Sequence, residues 1–169
     1  QGTSVALSVD GNTAIVGGLS DGGSKGAVWV FTRNNNVWTQ NGDKLTGQGI
    51  QGNWGSFGKS VSLNAGGNLA LVGGNSDNTN IGAIWLFKRI NSKWVPLGDK
   101  IIGTGNVGIA NIGHSVSLSA DGSTAVAGGL YDNNYLGSTW VFKYILPPSV
   151  SSFTPTNAAM GDTVLIKGT

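Results

Sequence analysis

Residues 26–32 read Gly-Ala-Val-Trp-Val-Phe-Thr, and the same pattern returns at 82–88 as Gly-Ala-Ile-Trp-Leu-Phe-Lys and at 137–143 as Gly-Ser-Thr-Trp-Val-Phe-Lys. A strand with this sequence carries apolar side chains on both of its faces. An antiparallel sheet with one wet face would instead alternate polar and apolar residues. The pattern therefore predicts sheets that are covered on both sides by other sheets.

Two further markers recur in phase with this strand. The run Ser-Val-x-Leu begins at residues 4, 60 and 115, and a Gly-Gly pair ends the following strand at 17–18, 73–74 and 128–129. All three markers repeat after 56 and then 55 residues. A fixed period of this length is typical of proteins that stack one supersecondary unit several times.

Each repeat predicts four short strands and essentially no helix. Asp10-Gly11 and Asp121-Gly122 give a strong hairpin signal between the first two strands. The third strand carries the tryptophan, and a weaker fourth strand begins at Val37 in the first repeat and at Lys93 in the second. The third repeat shows no fourth strand, because the sequence runs from Tyr144 towards two prolines.

These features predict an all-β chain of three antiparallel propeller blades, each of four strands except the last. In a β-propeller each four-stranded sheet packs face to face on its neighbours. A two-sheet sandwich is the alternative, but it would leave one face of every strand to water. Since propellers have about four to eight blades, we expect these three to belong to a larger ring. The predicted repeats span 2–57, 58–112 and 113–144.

The segment Phe57-Gly58-x-Ser60-Val61, followed by the apolar strand 82–87, resembles the FG-GAP repeat in its bacterial secreted branch. The third repeat has Ile112-Gly113 in place of Phe-Gly. The resemblance covers roughly residues 2–144, since it returns in phase in each repeat. It implies a β-propeller, usually of seven blades, in a secreted or cell-surface bacterial protein.

The last part of the chain has a different character. Pro147-Pro148 interrupts the strand pattern, which predicts a linker over 145–149. Residues 150–169 resemble the opening of an IPT/TIG immunoglobulin-like domain, with Ser-Phe-x-Pro at 152–155 and Gly-Asp-Thr-Val-x-Ile-x-Gly at 161–168. Only its first strands are present, so this module is incomplete. A propeller followed by such a module is a layout of secreted or surface proteins of bacteria.

Composition excludes several classes of function. The sequence has 10 basic and 8 acidic residues, a net charge of +2 and no basic run, so we expect no nucleic-acid binding. It contains no cysteine and therefore no thiolate metal site. Its longest apolar runs are about a quarter of the length that a membrane-spanning helix needs, so we expect no membrane span.

Catalytic residues are absent from the sequence pattern. His114 is the only histidine, and all eight acidic residues are aspartate. Two runs fit Gly-x-Ser-x-Gly, at 18–22 and 22–26, but both lie in a predicted loop between two strands and not on the strand-to-helix turn of a nucleophile elbow. We therefore predict that the chain is not an enzyme.

An aspartate recurs in the loop before each tryptophan strand, as Asp21, Asp77 and Asp132. Calcium is one interpretation, but it needs six to eight oxygen ligands and each loop offers a single carboxylate. An aspartate that caps its own turn explains the recurrence with fewer requirements. We expect no cofactor and no metal, with calcium at these three residues as the weaker alternative.

The aromatic residues divide into core and surface candidates. The strand positions predict a core between blades, formed by Trp29, Trp85, Trp140, Phe31, Phe87 and Phe142. Four residues lie in polar or glycine-rich loops and are candidates for a binding surface: Trp54, Tyr131, Asn133 and Tyr135.

The expected function is that of a secreted or cell-surface interaction or adhesion module that binds a protein. A carbohydrate-binding propeller is the alternative, with a glycan held by Asn133, Asn134 and Tyr135. An accessory domain of a larger secreted enzyme is a third. The expected partners are a protein or glycan at the cell surface, and further blades of the same or another chain. We expect the isolated segment to associate or aggregate, because neither end face carries polar substitutions. The predicted first end face has Val5, Leu7, Ile15 and either Val28 or Trp29, and the last has Val116, Leu118, Val126 and Val141.

Overall fold

A computed structural model describes residues 1–144, 150–154 and 165–168. Residues 1–144 form three antiparallel sheets of four, four and three strands, and none of them closes into a barrel. The predicted all-β class and the missing fourth strand of the third repeat are thereby confirmed.

The strands follow one another in each sheet as they do along the chain. Sheet 1 consists of β1 (Ser4–Leu7), β2 (Thr13–Gly18), β3 (Ala27–Asn34) and β4 (Val37–Gln40). Sheet 2 consists of β5 (Ser60–Leu63), β6 (Leu69–Gly74), β7 (Ala83–Ile90) and β8 (Lys93–Pro96). Sheet 3 consists of β9 (Ile112–Leu118), β10 (Thr124–Gly129) and β11 (Ser138–Lys143).

The three tryptophan strands have the same register in each sheet. Trp29 lies opposite Val16, Trp85 opposite Val72, and Trp140 opposite Ala127. The Gly-Gly pair in turn faces the beginning of the tryptophan strand in every repeat. Equal register means that corresponding side chains point to corresponding faces, because side chains alternate along a strand.

The sheets stack through these faces, and sheet 2 is covered on both sides. One apolar cluster joins sheet 1 to sheet 2 and contains Ile15, Val28, Val30, Val61, Leu63, Val72, Trp85 and Phe87. A second cluster joins sheet 2 to sheet 3 and contains Leu69, Leu71, Ile84, Leu86, Leu118, Ala125 and Ala127. Burial on both faces explains why β7 is apolar at five consecutive positions, residues 83–87.

The Phe-Gly dipeptide lies where one sheet meets the next. Phe57 is fully buried, and its ring contacts those of Trp85 and Phe87 edge-on, at centroid distances of 5.3 and 5.9 Å. Beside it, the Gly58 carbonyl oxygen accepts a hydrogen bond of 2.9 Å from the Ser4 hydroxyl. The next interface repeats this bond between Ser60 and Gly113 at 2.8 Å. The motif therefore joins neighbouring sheets.

The predicted aromatic core is present only in part. Trp85 and Phe87 are buried. Trp29 and Phe31 are partly exposed, because the face of sheet 1 that carries them has no sheet against it within the described residues. The expectation that all three tryptophans are buried is wrong for Trp29 and also for Trp140.

Trp140 and Phe142 do face sheet 2, yet both are partly exposed. In sheet 2 the fourth strand brings Trp94 onto the cluster that contains Trp85. Sheet 3 has no such strand among residues 1–144. Trp140 therefore lies at an interface between sheets, as predicted, but near its open margin.

The two end faces also differ from expectation. Val116 and Leu118 belong to the cluster between sheets 2 and 3, so they are not part of the free face. The free face of sheet 3 carries Val126 and Val141, and Thr139 stands at the position of an isoleucine in sheet 2. Ile15 likewise lies in the cluster between sheets 1 and 2 and is not part of the free face of sheet 1. The prediction of an end face without polar substitution therefore holds for sheet 1 at Val5 and Leu7, is wrong about Ile15, and is wrong for sheet 3.

Three one-turn helices correct the expectation of a helix-free chain: α1 (Asp21–Ser24), α2 (Asp77–Asn80) and α3 (Asp132–Tyr135). Their central residues have left-handed backbone angles, such as φ of 48° at Asn78 and 57° at Thr79. L-residues adopt this region singly at best, and mostly as Gly, Asn or Asp. These turns are thus a repeated local feature of unusual conformation.

In the tail, β12 (Val150–Thr154) pairs antiparallel with β13 (Leu165–Gly168). The predicted linker at 145–149 lies outside the described residues, and the assignment of the tail to an IPT/TIG module stays a prediction. No helix in the described part of the chain has the length and apolar character needed to cross a bilayer.

Candidate functional site

The recurring aspartate ties its loop to the segment that arrives from the preceding sheet. Asp77 is fully buried at the start of α2, and its Oδ1 accepts the backbone N–H of Gln51 at 2.6 Å. Its Oδ2 accepts the Lys100 ammonium at 2.6 Å. One carboxylate therefore holds together the loop, the connection from sheet 1 and the chain that follows β8.

In the third repeat the carboxylate is satisfied differently. Asp132 Oδ1 accepts the N–H of Val107 at 2.6 Å, and Oδ2 accepts the Ser138 hydroxyl. These hydrogen bonds hold the pKa of Asp132 below its usual range, and the bond from Ser138 has the larger effect. Ser138 stands where Ala27 and Ala83 stand in the other repeats. The substitution supplies the donor that a lysine after a fourth strand supplies in sheets 1 and 2.

One expectation about these aspartates is corrected. They were expected to cap their own turns, but the short hydrogen bonds of Asp77 and Asp132 go to other segments. Asp21 and Asp77 also pair with Lys44 and Lys100. The physical reason is that a buried carboxylate needs donors from several directions, which one turn does not offer.

No group of three or more His, Cys, Asp or Glu side chains comes together among the residues that the structure describes. At Asp77 and Asp132 both carboxylate oxygens are engaged by protein donors. The absence of a calcium site at Asp21, Asp77 and Asp132 stays a prediction.

Asp77→Ala is expected to lower the free energy of unfolding by about 3 kcal/mol, because it leaves the largely buried Lys100 ammonium and the Gln51 N–H without their acceptor. Asp21→Ala is the matched control at the equivalent position. Its side chain and that of Lys44 are 28% and 44% exposed, and removing a surface pair costs less than about 1 kcal/mol. Urea unfolding of both variants checks this; equal losses would contradict the buried clamp.

The strongest candidate for a binding surface surrounds α3. Tyr131 precedes this turn and Tyr135 is its last residue. Their ring centroids lie 5.0 Å apart, and the ring planes are inclined by 61°. Both rings are exposed, Tyr135 to 79%. They border a cavity of about 190 Å³ whose other walls are Val107, Gly108, Ile109 and Asn134. Val107, Ile109 and Leu136 add exposed apolar surface around them.

Tyr135 is held in a backbone conformation that is rare for an aromatic residue. Its φ is +70°, in the left-handed region. The same place is occupied by Ser24 in the first repeat and by Asn80 in the second, and Tyr131 likewise replaces two serines. A bulky residue at positive φ is a genuine outlier, and such strain tends to cluster at functional sites. The third repeat thus places two tyrosines where the others have small polar residues.

The predicted binding residues are only partly brought together. Asn133 lies between the two tyrosines, and its N–H donates to the Val107 carbonyl oxygen at 3.0 Å. Trp54 is 66% exposed but lies on the connection between sheets 1 and 2, away from the tyrosine cavity. Ile109 holds the corresponding place in the connection between sheets 2 and 3.

Sequence reasoning missed Val107, Ile109 and Leu136 as exposed apolar residues of this surface. A signal for them does exist in the sequence. Val107 and Ile109 are branched apolar residues in a glycine-rich connection, where the repeat pattern assigns no strand. Ile109 aligns with Trp54 in the preceding repeat, which marks this part of the connection as surface.

His114 lines an open cavity of about 520 Å³ on sheet 3, together with Ser115 and Gly128. Burial and the nearby Lys59 lower the pKa of this histidine. No serine donates a hydrogen bond to it within residues 1–144, and the Ser138 hydroxyl is directed to Asp132 instead. The arrangement offers no nucleophile and base pair.

Comparison of the chain with protein-family models and with curated proteins finds no match. The geometry of the molecule therefore carries the functional argument.

Proposed function

We propose that this chain is a non-enzymatic interaction module, in which an FG-GAP-like β-propeller scaffold presents the tyrosine surface of its third repeat to a protein partner at the cell surface. The observation that carries the proposal is the exposed Tyr131–Tyr135 pair, held on a strained turn above the apolar cavity with Val107 and Ile109.

The scaffold part of the proposal is supported by the stacking of the sheets. Three sheets of equal register follow one another, and each junction repeats the same serine-to-glycine hydrogen bond. Face-to-face stacking of four-stranded antiparallel sheets is how propeller blades are arranged. A ring of this kind, completed by further blades of the same or another chain and followed by an IPT/TIG module, fits a secreted or cell-surface bacterial protein.

The composition of the surface favours a protein as the ligand. Tyrosine is enriched in the energetically dominant residues of protein interfaces. Exposed aliphatic neighbours such as Val107, Ile109 and Leu136 contribute the kind of contiguous apolar patch that marks an interaction site. Asn133 and Asn134 supply polar groups at its margin.

A carbohydrate is the second candidate, because the same asparagines could bind sugar hydroxyls beside an exposed aromatic ring. The inclination of 61° between the two tyrosine rings argues against it. Two rings at this angle do not form one flat platform on which successive sugar rings stack. This angle supports a protein as the first candidate.

The test measures retention of the protein on intact cells of the source organism. We expect Tyr131→Ala and Tyr135→Ala each to weaken retention about tenfold or more, since a hot-spot residue contributes about 2 kcal/mol. Trp54→Ala is the matched control, an exposed aromatic on the other connection, and should leave retention unchanged. Circular dichroism of each variant checks that the fold is kept.

Pretreatment of the cells separates the two ligands. Protease should abolish retention if the partner is a protein, and periodate should abolish it if the partner is a glycan. Unchanged retention of both tyrosine variants would overturn the proposed surface.

A further inference from the structure

The two interfaces inside the molecule are built from the same pair of complementary parts. One part, the turn side, is a Gly turn ahead of the first strand together with an aromatic face, as in Gly58, Trp85 and Phe87. The other part, the serine side, is a serine, the first glycine of the Gly-Gly pair and an aliphatic face, as in Ser4 and Gly17. Among the described residues, sheet 1 uses only its serine side and sheet 3 only its turn side.

The unused serine side of sheet 3 is open. A Cβ atom at Gly17 or Gly73 would overlap with the docked carbonyl group of Gly58 or Gly113. At Gly128 the same atom would meet only Ser115 of its own sheet. The space where a docked turn would lie is the cavity of about 520 Å³ that contains His114, Ser115 and Gly128.

The unused turn side of sheet 1 is already shaped for docking. Gly2 has φ of +95°, close to +88° at Gly58 and +85° at Gly113. Its N–H donates to the Gly17 carbonyl oxygen at 2.8 Å, as the Gly58 N–H donates to Gly73 at 3.0 Å. The Gly2 turn therefore shares its glycine φ with both docked turns and its backbone hydrogen bond with the turn at Gly58.

The free faces beside these parts are of complementary kinds, one aromatic and one mainly aliphatic. Sheet 1 presents an aromatic face whose free side chains are Val5, Leu7, Ala14, Val16, Trp29 and Phe31. Val5 is 70% exposed, whereas Val61 at the same place in sheet 2 is 9% exposed. Sheet 3 presents the smaller side chains of Val126, Thr139 and Val141. Both internal interfaces also set an aromatic face against an aliphatic one.

We propose that a second copy of this chain docks head-to-tail, its sheet 1 on sheet 3 of the first copy. The Gly2 carbonyl of the second copy accepts the Ser115 hydroxyl and lies over Gly128, and Trp29 and Phe31 cover the Val126 and Val141 face. Such a heterologous contact closes into a ring or grows into a chain of copies. This inference rests on other observations than the proposed function does, although Tyr135 and Leu136 of the tyrosine surface also line the cavity that the docked turn would occupy.

The contact should be weaker than either internal one. Gln1 precedes Gly2 at the position that Phe57 and Ile112 hold in the docked turns. The docked turn therefore brings less apolar surface with it, and less hydrophobic free energy.

Each of the two free faces is blocked separately by one substitution in the 169-residue chain. Leu7→Glu places a charge on the free face of sheet 1, and Val141→Glu places one on the free face of sheet 3. Both side chains are exposed, Leu7 to 62% and Val141 to 64%, so each variant should fold as a monomer. Ile90→Glu is the matched control, an exposed aliphatic residue at the end of β7 and on neither end face.

Analytical ultracentrifugation should show the unmodified chain and Ile90→Glu as species larger than one copy. Leu7→Glu alone and Val141→Glu alone should sediment as monomers. Their equimolar mixture should form a dimer of one copy each, because the open serine side of the Leu7→Glu variant then meets the open turn side of the Val141→Glu variant. A monomeric unmodified chain, self-association of either single variant, or no dimer in the mixture would each overturn the proposal. Circular dichroism confirms that both variants are folded.

Discussion

Phe57→Ala is expected to lower the free energy of unfolding by about 4 kcal/mol. The ring is fully buried between sheets 1 and 2 and contacts Trp85 and Phe87 edge-on. Truncation removes both aromatic contacts and leaves a cavity that two stacked sheets cannot easily close. Urea unfolding, followed by circular dichroism and by tryptophan fluorescence, measures the loss.

Trp54→Ala provides the comparison within the same connection, three residues earlier. Its side chain is 66% exposed, so its removal should change stability by less than about 0.5 kcal/mol. A loss at Phe57 no larger than the loss at Trp54 would mean that sheets 1 and 2 are not packed around this ring.

Gly73→Ala should destabilise the molecule by about 3 kcal/mol. The added methyl group would overlap with the carbonyl oxygen and carbon of Gly113, which are backbone atoms of the neighbouring sheet. Backbone atoms of a docked turn cannot rotate away as a side chain can. The sheets would have to separate, and the serine-to-glycine hydrogen bond between Ser60 and Gly113 would be lost.

Gly128→Ala isolates this effect. It occupies the same place in sheet 3 and meets the serine of its own sheet in the same way, but no docked turn. Both substitutions are made in the Leu7→Glu background, so that association of copies does not contribute. We expect a loss below about 1 kcal/mol at Gly128. Similar losses at the two glycines would contradict the docking of Gly113 on Gly73.

The third repeat departs from the other two in several ways at once. Ser138 replaces an alanine and bonds to Asp132, Thr139 replaces an aliphatic residue on the free face, and Tyr131 and Tyr135 enter the loop. Each change suits a sheet without a fourth strand and with an exposed loop surface. This repeat therefore carries both the proposed binding surface and the open serine side of sheet 3.

The strand pattern could be predicted because it is set by local alternation. Apolar residues on both faces of 82–88 imply cover on both sides, whatever the partners are. The recurring register follows from the strict repeat. The exposure of Trp54, Tyr131 and Tyr135 could also be predicted from the sequence, since each lies in a loop outside the strand pattern.

The aspartate contacts could not be predicted in the same way. Asp77 meets Gln51 and Lys100, which lie 26 and 23 residues away in the sequence. Lys100 reaches the carboxylate because the chain after β8 returns beside β7, where Ile101 pairs with Ile84. Gln51 reaches it from the connection between sheets 1 and 2. An aspartate in a turn is most often satisfied locally, so the local interpretation was favoured and was wrong.

By itself the sequence determined that the chain is all-β, where its strands lie and which side chains share a face, because side-chain alternation along a strand is a local property. The tertiary structure decided which faces are covered. Trp85 is buried and Trp29 is not, although both stand at the same place in identical patterns. The difference arises because burial depends on the neighbouring sheet, and the described residues place a sheet on only one side of sheet 1.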